Sequence, residues 1–72
     1  MKLDPSKLRA ARQAKGLSQA KLGEQLTGKR QNASQSIQGL ESGFRGASAD
    51  RIARLALILG VTAAELCEAE HA

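Results

Sequence analysis

Glycines at positions 16, 28, 43, 46 and 60 cut this 72-residue chain into short runs. Within the runs, apolar side chains recur at three- and four-residue spacing, while Val, Ile, Phe and Thr never alternate with polar residues over a useful length. The first pattern is helical, and the missing one is that of a half-buried strand. The expectation is an all-α fold of five short helices. Residues 1–72 form a single domain, near the lower size at which one hydrophobic core holds unaided.

Start signals agree with this division. Pro5 and Ser6 suit a first helical turn, and Leu8 and Ala11 follow at helical spacing up to Gly16. Ser18 is placed to cap a second helix, about Gln19 to Leu26, with Leu22 and Leu26 on one face. Gly23 lies inside that helix, where glycine costs roughly 1 kcal/mol against alanine; a close helix approach or simple tolerance both account for it. Ser48 caps a run whose Ile52, Leu55, Ala56 and Leu59 make a broad apolar stripe ending at Gly60. Thr62 and Glu65 form the capping box of a last helix. Phe44, the one aromatic residue, is expected to pack over the fourth helix.

Several classes of function are disfavoured. Cys67 has no partner for a disulfide, which suits a reducing, cytoplasmic setting. The N-terminus lacks a signal-peptide run, and LALIL is too short to span a bilayer. No Cys/His cluster suggests a metal, no Gly-rich phosphate loop a nucleotide, and the only histidine, His71, stands next to the end. No catalytic residue, metal or cofactor is expected, and the scattered carboxylates give an enzyme little support. A single aromatic also argues against base-stacking platforms for single strands. Charge points to a polyanion instead: residues 1–46 hold nine Lys/Arg against three Asp/Glu, and residues 47–72 two against four. A basic front half suits a polyanionic partner on one side of the molecule, although charge kept for solubility has the same signature.

Three segments, LRAARQAKGLSQAKLGEQL (Leu8 to Leu26), SIQGLESG (Ser36 to Gly43) and RIARLALILGVTAAEL (Arg51 to Leu66), occur in an order and spacing that resemble the lambda-repressor/Cro-like (XRE-type) helix-turn-helix family. The resemblance implies a five-helix DNA-binding domain with a helix-turn-helix unit at about 19–42. Its third helix would lie in the major groove while the second crosses the sugar-phosphate backbone. It also implies that Gln19 touches a phosphate, that Arg45 meets the backbone, and that Arg12 and Glu41 form a structural ion pair between helices 1 and 3. The interval from Leu26 to Ile37 is longer than the family's usual spacing by about four residues, within TGKRQN. Either the turn bulges outward or helix 3 gains a turn at its start.

With helix 3 taken as Ala33 to Ser42 and capped by Asn32, residues placed at helical intervals put Ala33, Ile37 and Leu40 on the buried side. Gln35, Gln38, Gly39 and Ser42 fall opposite, flanked by Ser34. Glutamine pairs with adenine and serine with either base edge, so Ser34, Gln35 and Gln38 are the expected base-reading residues, and Gly39 lets the helix approach. Lys29 and Arg30 are expected on phosphates, with a guanine contact by Arg30 as the variant reading. A homodimer on an inverted repeat, half-sites about 34 Å apart, is expected to join through Leu57, Ile58, Val61, Leu66 and Cys67. The overall expectation is a transcriptional repressor of double-stranded DNA without a separate effector domain. The alternative is a protein-interaction module of the same fold, such as an antitoxin binding its toxin.

Overall fold

The computed structural model describes residues 2–68; His71 lies outside them. The first helix, α1 (Pro5–Lys15), begins where Asp4, in extended conformation, accepts the Ser6 amide at 2.9 Å and the Lys7 amide at 3.4 Å through its carboxylate. Asp4 is therefore the cap, one residue ahead of the Pro5–Ser6 signal. Arg12 and Lys15 in the last turn suit the negative end of the helix dipole, and Gly16 closes it in the left-handed region. Ser18 then accepts the Lys21 amide at 3.0 Å and opens α2 (Gln19–Thr27). A five-residue connection, 28–32, leads to α3 (Ala33–Glu41). Ser48 caps α4 (Ala49–Leu59) through the Arg51 amide, and Gly60 stops it.

Leu8, Leu22, Ile37, Ile52, Leu55 and Leu66 are fully buried, so every element contributes to one core. Each such side chain is worth roughly 1.5–3 kcal/mol relative to an exposed one.

The fifth helix is not an α-helix. Thr62 and Glu65 do form the capping box, but they open only a four-residue 3-10 turn, Ala63–Leu66. Beyond it the chain is drawn into extended geometry by an antiparallel bridge between Leu3 and Cys67. Asp4 N donates to Leu66 O and Glu68 N to Lys2 O, both at 2.8 Å, and Lys7 Nζ donates to Cys67 O at 2.9 Å. This clasp between the two ends buries Leu3, Leu66 and Cys67. Leu66 and Cys67 are therefore core residues and do not offer the dimer surface expected of them. Leu57 does stand exposed, at 83%, while Ile58 and Val61 are half-buried against the core.

Helices α2 and α3 cross at Gly23. A Cβ built there would collide with the main-chain carbonyl of Ala33, which answers why a glycine interrupts α2: two backbones touch. The connection that follows is organised by Thr27, whose hydroxyl donates to Gly23 O at 2.9 Å and accepts the Lys29 amide at 3.2 Å. The extra residues between Leu26 and Ile37 thus lengthen this turn, and α3 starts at Ala33. Asn32 precedes it in the left-handed region, φ 58°, and its side chain makes no capping bond. Asparagine tolerates that conformation, but adopting it turns the side chain away from the cap role expected of it. At the other end α3 stops at Glu41, one residue earlier than expected, with Ser42 as the closing residue.

Phe44 departs furthest from expectation. Gly43, at φ 79°, reverses the chain, and Arg45 N donates to Gly39 O at 3.0 Å. The segment after α3 therefore folds back onto that helix. Phe44 is left 87% exposed.

Candidate nucleic-acid interface

Helix α3 divides cleanly. Ala33, Ile37 and Leu40 are buried, whereas Gln35, Gln38 and Ser42 are exposed and Ser34 and Gly39 are half-buried. Ser34 Oγ donates to Gln35 Oε1 at 3.3 Å, leaving the Gln35 amide nitrogen to act as an outward donor. The outward face holds neutral donors and acceptors with little bulk, the functional groups that match base edges in a major groove.

Three cations flank this face. Lys29 and Arg30 are exposed on the turn before α3. Arg30 Nε lies 3.6 Å from Glu24, but its side chain is 91% exposed, so the pair holds it only loosely. Arg45 lies against α3's outer face at Gly39. Its Cδ and Cγ are 3.2 and 3.4 Å from where a Cβ of Gly39 would stand, so the missing side chain at 39 houses the Arg45 stem. Gln35, Gln38, Gly39, Ser42, Phe44 and Arg45 together line one shallow concavity.

The end of α3 is locked from within. The Glu41 side chain is 1% exposed and accepts from four donors on two other elements. Arg12 reaches it twice, Nε to Oε2 at 2.5 Å and Nη2 to Oε1 at 3.1 Å, while Arg12 Nη1 donates to Leu17 O at 2.8 Å. Gln19 Nε2 and Arg9 Nε donate to Oε1 at 3.2 and 3.4 Å. Burial by itself pushes the Glu41 carboxyl up. Hydrogen bonds from Arg12 and Gln19, the Arg12 charge, and the Arg9 bond together outweigh it and hold the carboxyl below the usual carboxylate range. No buried side-chain nitrogen or oxygen among the described residues lacks a partner.

Arg12 and Glu41 are thus placed together as the resemblance implied. Gln19 opens α2 as expected, but one amide hydrogen is already engaged by Glu41. Arg9 is a member of this cluster that the sequence reading does not include, although it stands three residues before Arg12, where helical spacing puts both on one face. Phe44 lies on a different surface from the one expected: no signal in sequence distinguishes an aromatic that packs on its own chain from one presented outward.

Among the described residues no three His, Cys, Asp or Glu side chains gather as for a metal ion, and no helix is long and apolar enough to cross a membrane. Four α-helices and a closing turn, with the second and third crossing at a glycine and the third turning a polar face outward, define a DNA-binding helix-turn-helix domain. A helix-turn-helix family model matches residues 8–66, and the chain belongs to that lambda-repressor/Cro-like family. Neither curated proteins nor solved structures gave a match.

Proposed function

We propose that the chain is a sequence-specific regulator of transcription that binds double-stranded DNA through the major groove, acting as a homodimeric repressor on an inverted-repeat operator. The observation that carries this reading is the α3 face. Ser34, Gln35 and Gln38 look outward on a helix whose opposite side is buried and whose end is clamped by Glu41. A helix held at both its crossing and its end brings its amides to the groove in a fixed register, so little ordering entropy remains to oppose binding.

In this reading Gln35 and Gln38 pair with adenine N6 and N7 and Ser34 accepts or donates at a neighbouring edge. Lys29, Arg30 and Arg45 meet phosphates on either side of the groove, giving affinity without sequence information. Gln19 supplies its second amide hydrogen to the backbone while Glu41 holds the first. Leu57, with the half-buried Ile58 and Val61 beside it, joins two copies across the twofold axis of the operator.

Selection of duplexes from a random pool, followed by binding of the Gln35→Ala/Gln38→Ala variant, tests the proposal. Recovery of a palindrome that the double variant binds far more weakly is the expected result. Equal binding by parent and variant removes α3 as the reading helix.

A further inference from the structure

Phe44 and Leu57 are the large apolar side chains left exposed among the described residues, and Phe44 is the more exposed of the two. Its main chain is fixed by local bonds. Gly43 turns the chain at φ 79°, Phe44 N donates to Ser42 Oγ at 3.4 Å, and Arg45 N is bonded to Gly39 O. Its ring lines the same concavity as Gln35 and Gln38.

That concavity has two chemical characters. Gln35, Gln38 and Ser42 offer amides and a hydroxyl, while the Phe44 ring, the bare Gly39 and the Arg45 methylenes offer apolar surface. In the major groove thymine alone carries an apolar group, the 5-methyl, beside its O4 acceptor. Aromatic and apolar side chains recognise that methyl by excluding water from it.

We infer that the Phe44 ring and the Arg45 stem receive a thymine 5-methyl group, so that Phe44 is a specificity-determining residue that reads thymine next to the base edges addressed by Gln35 and Gln38. This rests on the proposed major-groove reading. Phe44 selects thymine against cytosine at its position, and it does so with no hydrogen bond. Arg45 thereby has two parts: its guanidinium faces a phosphate while its methylenes complete the apolar wall.

The test uses the 72-residue chain and a duplex that it selects from a random pool. Each thymine of that duplex is replaced singly by deoxyuridine, which removes the 5-methyl and nothing else. At one thymine per half-site the replacement weakens binding about fourfold, the loss for one buried methyl. Phe44→Ala binds the thymine and uracil duplexes equally, and Phe44→Leu keeps part of the difference. Because the ring is exposed, Phe44→Ala melts with the parent.

One result overturns the inference, a thymine-to-uracil ratio that Phe44→Ala leaves unchanged: either both duplexes are weakened alike, as for a ring lying on sugar and phosphate or wedged between bases, or DNA binding is not affected at all, as for a ring reserved for a protein partner. A pool that yields no preferred sequence refutes the major-groove reading itself. A selected sequence that depends on Gln35 and Gln38 but is indifferent to the methyl refutes the Phe44 assignment alone.

Discussion

Alanine at each of the two mid-helix glycines should change stability in opposite directions. Helix propensity alone favours alanine over glycine by about 1 kcal/mol at either position. At Gly39 the new methyl meets the Cδ of Arg45 at 3.2 Å, part of an exposed side chain that swings aside at little cost. Gly39→Ala is therefore expected to stabilise the domain by about 0.5–1 kcal/mol. At Gly23 the obstacle is the main chain of Ala33, carbonyl oxygen, carbon and Cα together. No rotamer relieves that contact, so α2 and α3 must separate, loosening Leu22, Leu26 and Ile37. Overpacking costs about 1–3 kcal/mol, occasionally more, and a clash with rigid backbone belongs at the upper end. Net of the propensity gain, Gly23→Ala should destabilise by about 2 kcal/mol. For a domain of this size each kcal/mol moves the melting temperature by about 4–8 °C. Melting followed by circular dichroism should therefore rise by a few degrees for Gly39→Ala and fall by roughly 8–16 °C for Gly23→Ala. In the same samples Gly39→Ala should bind the selected DNA several-fold more weakly, because Arg45 is displaced across the reading face. A Gly23→Ala variant as stable as the parent would refute the claim that two backbones touch there.

Glu41→Gln keeps the side chain's shape but strands the Arg12 charge, whose side chain is only 12% exposed, and should cost about 3 kcal/mol at neutral pH, measured by urea unfolding. The folded carboxyl sits below its ordinary range, so its contribution is complete above the unfolded-state value and falls away as pH drops through the folded one. The gap between parent and variant should close over that acid window, and a pH-independent gap would contradict the assignment. Replacing Lys29 and Arg30 by alanine should weaken binding to all duplexes alike and reduce the slope of log affinity against log salt by about one for each phosphate no longer neutralised; a decrease confined to the preferred site would make them base readers. Leu57→Asp should abolish dimerisation in sedimentation while leaving stability within about 0.5 kcal/mol of the parent, as befits an exposed position; a dimer that survives would move the interface elsewhere.

Most helix starts and stops were legible in the sequence because each is decided within one turn of chain; the Asp4 cap of α1 and the left-handed Asn32 without a capping bond before α3 were not. Ser18 and Ser48 reach amides three residues on, Thr62 and Glu65 exchange hydrogen bonds across the same interval, and Gly16, Gly28 and Gly60 adopt the conformation that terminates a helix. The sidedness of α3 was readable for the same reason, since a period of about 3.6 residues assigns Ile37 and Leu40 to one side and Gln35 and Gln38 to the other. Tertiary structure decided whatever joins residues far apart in the chain. It set Gly23 against Ala33, brought Arg9, Arg12 and Gln19 onto Glu41, and closed Leu3 on Cys67, which made a core residue of a cysteine expected at an interface and shortened the last helix to a single turn. It also turned Phe44 outward, because the direction of that ring depends on how a glycine turn folds back over a helix and not on the residues beside it. Local hydrogen bonds need only neighbouring residues; contact between distant segments depends on the shape of the whole packed chain.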